Sequence, residues 1–316
     1  MTIVGIDAVT YGAADPARAA RFFADWGLAR KRSGVSGTVL ETVDRSQVVI
    51  RPRGARDLPA AIERKSTIRA LTWGVDTAQD LEAIGKELSR DREVGRARGT
   101  LWSVDDDGLA IGFRVSRRRA LTERIEGTNA PGAIRRVDRR ATYYDRARPL
   151  TIGHVVMNVP SLRRARRFYV ERLGFSISDV YRGRGVFLRA GARGGHHNLF
   201  FIEAEDGPSL NHVAFAVRDI HELFAGGRHM SGRGWRTAIG PGRHRISSAY
   251  FWYFKNPAGG LAEYYWDEDY LTERWKPGRW DPAPDTFAEW VLGGGLPRAR
   301  ALPPTRGRRD TGAAGT

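Results

Sequence analysis

One plan occurs four times along the chain, and no other feature restricts the possible folds so strongly. "IVGIDAVTYGAADPARAARFFADWGL" (3–28) and "TIGHVVMNVPSLRRARRFYVERLGF" (151–175) share it. Each runs from an alternating strand through a Pro and Ser/Asp turn into a helix with arginines beside an aromatic pair, and leaves by a Gly-Leu or Leu-Gly step. A second unit recurs likewise, "RALTWGVDTAQDLE" (69–82) resembling "NHVAFAVRDIHELF" (211–224). The closing strands match as "DGLAIGFR" (107–114) and "GGLAEYYW" (259–266). Each unit is a strand, a helix and about three further strands, which predicts an α+β fold. Four βαβββ modules pair into two barrel-like domains, with curved sheets around a central cavity.

The first pair of modules is expected over 1–120 and the second over 149–270, joined by a polar, arginine-rich linker at 121–148. A tail, 271–316, carries one short helix candidate, and the composition of its end, "RARALPPTRGRRDTGAAGT", predicts disorder.

The two halves differ in their histidines. All seven (154, 196, 197, 212, 221, 229 and 244) lie in the second half. Aligning Phe168 with Phe22 pairs His154 with Ala8, the second unit pairs His212 with Ala70, and the closing strands pair Glu263 with Ile111. A metal-capable side chain thus stands at three places where the first half has Ala or Ile. One cavity is expected to be functional and the other degenerate. Two imidazoles and one carboxylate form a 2-His-1-carboxylate facial triad, which holds Fe(II) or Mn(II) on one face and leaves positions for a substrate and O2.

Composition removes several alternatives. With no cysteine there is no disulfide, thiolate site or cysteine nucleophile. No segment approaches the roughly 20 apolar residues that span a bilayer, so a cytoplasmic protein without membrane contact is expected. The formal charge of +16 raises the question of nucleic acid. Of the 52 basic residues 47 are arginine, spread through segments such as "SRRRALTERIEG" and "LRRARRFY". This dispersal, without zinc-finger spacing or a basic region leading into heptads, argues against a nucleic-acid partner.

The stretches "IGHVVMNV", "GGHHNLFF", "LNHVAFAV" and "GPGRHRISSAYFWYFKNPAGGLAEYYW" carry a family resemblance. The second half resembles the catalytic domain of the two-domain extradiol ring-cleaving dioxygenases of the vicinal oxygen chelate superfamily. The resemblance covers 150–268, and the first half matches in repeat plan. It implies Fe(II), less often Mn(II), held by His154, His212 and Glu263, with O2 as co-substrate and a small aromatic diol as substrate. It implies that the acid–base histidine is the second of the doublet, His197, and that His244 and Tyr253 lie near the substrate's oxygens. A homo-oligomer is expected, since relatives assemble. Read as a strand, the doublet sends neighbouring side chains to opposite faces, so His196 is expected to face away.

Weaker candidates surround these. Arg243 beside His244 is a candidate for binding a substrate carboxylate, and Trp252 a candidate for lining the pocket. Asn198 and Asn211 flank histidines, where strand-end hydrogen bonding is the expected role. His221 and His229, on or just after a helix, are expected at the surface. The competing readings are a non-oxidative glyoxalase- or epimerase-like metalloenzyme and a metal-free small-molecule-binding protein. Neither accounts for His197, His244 and Tyr253 together with an intact triad.

Overall fold

Four modules follow one another in the computed structural model, which describes residues 1–34, 36–123 and 125–293. The expectation of disorder over 298–316 lies outside the described residues. The first module is strand Ile3–Ala13, helix Pro16–Asp25 and strands Ala29–Gly34, Gly37–Glu41 and Gln47–Pro52. The second is strand Thr67–Val75, helix Ala78–Leu88 and strands Gly95–Ala97, Thr100–Val104 and Ala110–Val115. Together they form one eight-stranded sheet.

The second half repeats this order. Strand Thr151–Val159 leads into a helix, α over Leu162–Arg166 and widened to a π turn over Arg167–Arg172, then to strands Ser176–Tyr181, Gly185–Arg189 and Leu199–Glu203. Strand Ser209–Ala216, helix Ile220–Gly232 and strands Thr237–Arg243, Tyr250–Lys255 and Leu261–Trp266 complete it. Helix starts are written into the sequence: Asp15, Thr77, Ser161 and Asp219 each accept a backbone N–H three residues on. No helix among the described residues is long and apolar enough to cross a membrane.

Strand register corrects one pairing of the repeats. His212 stands opposite Leu261 as Ala70 stands opposite Ala110, so Glu263 corresponds to Gly112 and not to Ile111. The first half inserts Leu109 between its glycine and its ladder, whereas the second runs directly from Gly260 into Leu261. Trp102 pairs with Gly112 where Tyr253 pairs with Glu263. A Cβ on residue 112 would collide with the Trp102 ring. The first half therefore has an indole against a bare backbone where the second has a carboxylate.

The halves share one continuous core. Trp26, at the end of the first helix, stacks on Tyr264 with centroids 3.6 Å apart and planes 9° apart. Trp73 meets Phe175 edge-on at 5.1 Å. Gly259, at φ +120°, lies against the Ser66 backbone so closely that any side chain would overlap it. Between 117 and 149 the described residues form no helix or strand beyond an isolated Ala130–Ala133 bridge.

The tail does more than the sequence indicated. Besides the short helix Pro284–Phe287 it supplies strand Gly278–Trp280, parallel to Ser176–Tyr181 at one edge of the ten-stranded sheet. It also supplies strand Trp290–Val291, antiparallel to Thr237–Arg243 at the other edge. Both edges of the second sheet are thereby covered.

Candidate metal centre

Three adjacent strands build the centre. The middle one, Ser209–Ala216, runs antiparallel to the His154 strand and parallel to the Glu263 strand, and Ala214 pairs with both His154 and Glu263. His212 stands two residues back on the same face of the middle strand. A methyl group at 214 leaves the room in which the flanking side chains converge. All three candidates are buried, at 4%, 8% and 1% exposure for His154, His212 and Glu263.

Their donor atoms form a small triangle. Glu263 Oε2 lies 3.1 Å from His154 Nε2 and 3.1 Å from His212 Nε2, and the two nitrogens are 3.4 Å apart. Adjacent ligands of an octahedral ion with bonds of about 2.1 Å are separated by about 3.0 Å, the bond length times the square root of two. The triangle matches one face of such an octahedron. Protons support the same conclusion. His212 Nδ1–H donates to Asn211 Oδ1 at 2.8 Å, which leaves Nε2 to face the carboxylate. Burial pushes His154 down to about 4, so this imidazole is neutral. Burial would raise Glu263, but the neighbouring imidazoles, His154 first, outweigh it and hold the carboxyl well below its usual range. Two buried imidazole nitrogens within 3.1 Å of one carboxylate oxygen make a donor set suited to a cation, and the other Glu263 oxygen, Oε1, remains buried without a hydrogen-bond partner.

The remaining candidates gather around this triangle. The His197 ring lies 4.0 Å from that of His154, and burial, followed by the neighbouring His196, depresses its pKa well below the ordinary value. Tyr253, opposite Glu263 on the next strand, lies 2.9 Å from His244 Nε2 through its hydroxyl. His244 Nδ1–H donates to the Phe287 carbonyl of the tail at 2.8 Å, so its Nε2 accepts from the tyrosine. Burial raises Tyr253 well above the ordinary tyrosine value and keeps the hydroxyl protonated.

Several expectations need correction. The doublet is not in a strand: Gly194–Gly195 is a two-residue strand and residues 196–198 form an irregular link before Leu199. Face alternation therefore does not apply, and His196 is fully buried against His197, their Nδ1 atoms 3.1 Å apart. Arg243 is committed elsewhere. Its guanidinium pairs with Glu289 at 2.7 Å, donates to the Ser248 carbonyl and covers the Tyr250 ring. Trp252 points to the opposite face of its strand from Tyr253, packing over Gly227 and donating to Thr237 Oγ1 at 3.0 Å. Asn198 does hold strand ends, bonding Gly153 and Ala190, whereas Asn211 orients a histidine. His221 is exposed and His229 half-buried.

Two acidic residues escaped the sequence. Glu268, five positions after Glu263, lies 3.1 Å from His197 Nδ1 and accepts the His197 backbone N–H, and burial pushes it up to about 7. His154, His197 and Glu268 form the other group of clustered donor atoms among the described residues. Asp179 contacts His196. In "YYWDED" and "SISDVY" both read as ordinary surface acids, and no motif spacing marks them.

Residues 151–264 match the Glyoxalase/Bleomycin resistance protein/Dioxygenase superfamily. Metapyrocatechase 2 of Cupriavidus necator is 32% identical over 218 residues, an alignment spanning 67% of this chain and 66%, just under two thirds, of that relative. The Mn(II)-bound glyoxalase of Novosphingobium aromaticivorans superposes with a TM-score of 0.75 at 22% identity, over 96% of this chain and 95% of that one. The homoprotocatechuate 2,3-dioxygenase of Arthrobacter globiformis gives a TM-score of 0.70 at 20% identity, over 92% and 88%. At these identities the two structures speak to the fold. Through residues 151–264 the chain belongs to the glyoxalase/bleomycin resistance protein/dioxygenase superfamily, and its fold as a whole matches that of the glyoxalase and dioxygenase structures.

Proposed function

We propose that this chain is an extradiol dioxygenase, which opens the ring of a catechol-type substrate with O2 beside the vicinal hydroxyls. The observation that carries this reading is the octahedral-face triangle of His154, His212 and Glu263, with His197 and the His244–Tyr253 pair packed around it. The similarity to metapyrocatechase 2 supports it. In the reaction the carbon–carbon bond next to a hydroxyl-bearing carbon breaks, the O–O bond breaks, and both oxygen atoms enter the product.

His154, His212 and Glu263 would hold Fe(II), or Mn(II), which accept the same ligand set. When bound, the metal favours the deprotonated catechol and brings substrate and O2 together. Proton handling falls to the chain. His197, neutral in its buried place, takes a catechol proton and returns it to oxygen as the O–O bond breaks. Tyr253 presents its hydroxyl to substrate oxygen and is oriented by His244, which the Phe287 carbonyl holds in turn. With Arg243 paired to Glu289, the reading assigns no carboxylate-binding role to that residue. In this reading 149–270 is the catalytic pair of modules and 1–120 the degenerate pair, in a cytoplasmic homo-oligomer whose partner is a small aromatic diol and not nucleic acid.

The test is O2 uptake and formation of a yellow ring-fission product after anaerobic loading with Fe(II), across simple, biphenyl-type and carboxylated catechols. His212→Ala is expected to lose bound iron, whereas His197→Phe keeps iron and loses ring cleavage by about 10² or more. Bound iron without O2 uptake across the panel overturns the reading. Non-oxidative chemistry, favoured by the likeness to the Mn(II)-bound glyoxalase, would then take its place.

A further inference from the structure

Trp252 lines a cavity after all, on the face of its strand turned away from the metal centre. A recess of about 520 Å³ lies between linker residues 141–144 and the helix Ile220–Gly232, with Trp252 among its walls. Along the helix His221, Phe224, Ala225 and Arg228 recur at the i, i+3, i+4, i+7 spacing of one face, and all four border the recess. Phe224 is 41% exposed there, whereas Leu223 and Met230 of the same helix are buried in the core.

The walls are fixed before anything binds. Gly227 has no side chain where Trp252 packs, since a Cβ would overlap the indole, and Trp252 Nε1 donates to Thr237 Oγ1 at 3.0 Å. Phe224 meets the indole edge-on, centroids 6.0 Å apart and planes at 70°. The linker side is pinned to the start of the helix. The Tyr144 hydroxyl donates to Asp219 Oδ2 and the Arg148 N–H to Glu222 Oε1, each at 2.9 Å. Ala141 and Ala225 contribute only methyl groups, which leaves the space between open.

The charge at the rim has no counter-ion in the recess. Arg228 is exposed, its Nη2 donating to the Tyr143 hydroxyl at 2.6 Å and the Tyr144 carbonyl at 3.4 Å, with the guanidinium 5.3 Å from the Tyr143 ring centroid. None of these partners is a carboxylate, and no acidic residue lines the recess among the described residues. Rigid aromatic walls favour a flat ring, packed offset or edge-on. A guanidinium with unused N–H groups favours a carboxylate, which it binds through two parallel N–H···O bonds. The volume suits one small ligand. We propose that this recess binds an aromatic carboxylate, its ring among Tyr143, Phe224 and Trp252 and its carboxylate on Arg228. The net charge of +16 draws such an anion toward the chain. Occupancy here requires no metal, because Trp252 and Tyr253 point to opposite faces of the strand Tyr250–Lys255.

The probe is 4-fluorobenzoate, followed by its 19F line width during titration of the full chain with and without Mn(II). A Kd of about 1 mM or below is expected, as for a ligand of this size, and the same within about twofold in both samples. Arg228→Gln is expected to weaken 4-fluorobenzoate by about fivefold or more and to leave neutral 4-fluorobenzamide within about twofold. Arg228→Lys, which keeps the charge and loses the fork, is expected to fall between. Phe224→Ala is expected to weaken both ligands by about threefold or more. Both side chains are exposed, so urea midpoints are expected to stay at the wild-type value. A Kd above about 10 mM, or a Kd that neither Arg228→Gln nor Phe224→Ala changes, overturns the proposal. So does binding that needs Mn(II) or is lost in His212→Ala, since the ligand would then sit at the metal centre. Equal weakening of 4-fluorobenzamide by Arg228→Gln overturns the carboxylate assignment.

Discussion

Replacing Asn211 by leucine removes one hydrogen-bond acceptor and leaves every proposed metal ligand in place. Asn211 Oδ1 is 2.8 Å from His212 Nδ1, and this contact keeps the His212 proton away from the triangle. Without it the proton is free to occupy Nε2, the atom aimed at Glu263 Oε2, and a protonated nitrogen cannot bind a metal. Loss of such an outer partner costs about 10- to 100-fold in metal affinity. At about 1.4 kcal/mol per tenfold, that is about 1.4–2.8 kcal/mol. The range overlaps the roughly 1.5–3 kcal/mol of a hydrogen bond to a charged group, which is what the imidazole N–H becomes beside a cation. Leucine keeps the branching of asparagine at Cγ but is larger, and residue 211 is only half-buried. Competition against a chelator of known affinity for Fe(II) or Mn(II) measures the loss. Asn211→Asp, which keeps an acceptor, is expected to bind at least as tightly as wild type. An Asn211→Leu protein that binds the metal within twofold of wild type refutes the proton argument on which the metal assignment rests.

Two further outcomes concern stability. Asp105 accepts the N–H groups of Asp107 and Leu109 and the hydroxyl of Tyr169 from the other half, and burial raises it to about 6. The folded value exceeds the unfolded value of about 3.9, so the native state binds more protons between them and stability falls as pH rises through 6. At about 1.36 kcal/mol per unit the full effect is about 3 kcal/mol, roughly half of it between pH 5 and 8. Urea midpoints of Asp105→Asn are therefore expected to gain on wild type across that interval, and parallel pH profiles would contradict this. Trp26→Ala removes a fully buried ring stacked on Tyr264 and is expected to cost about 3–5 kcal/mol in a single urea transition, whereas separate transitions for the two halves would contradict a shared core.

What the sequence revealed is what repetition and periodicity can encode. The four modules were legible because strand, helix and turn signals recur in order, and the gathering of His154, His212 and Glu263 because metal-capable side chains stand out against the small and apolar residues of the first half. Comparison by residue count failed where ladder and sequence part company. Glu263 aligned with Ile111, yet the register sets it against Gly112, because where a ladder begins is a property of the turn before it. The doublet misled for a related reason: alternation holds within strands, and residues 196–198 are not one. Arg243, Trp252, Glu268 and Asp179 needed coordinates outright. Whether an arginine is free depends on Glu289, 46 residues away, and whether an aspartate is buried depends on a tail strand pairing 99 residues downstream.

The first half has a physical task that follows from the three strands of the centre. Along Leu261–Trp266 the side chains alternate, so Glu263 faces the triangle while Tyr264 faces the first half, stacking on Trp26 and donating to its carbonyl at 2.8 Å. The His154 strand is tied from the same side: Ile152 N–H donates to Ser46 Oγ at 3.0 Å. So is the His212 strand, whose Leu210 N–H donates to Glu63 Oε1 at 3.0 Å. Each of the three strands thus has its own anchor in the first half, one aromatic and two hydrogen-bonded. The triangle has edges of 3.1 to 3.4 Å, and a slip of about 1 Å in any one strand would take it outside the geometry an octahedral ion accepts. Three anchors on three strands supply stiffness beyond the triangle's own contacts. The contribution of the first half is to hold the strands of His154, His212 and Glu263 in place.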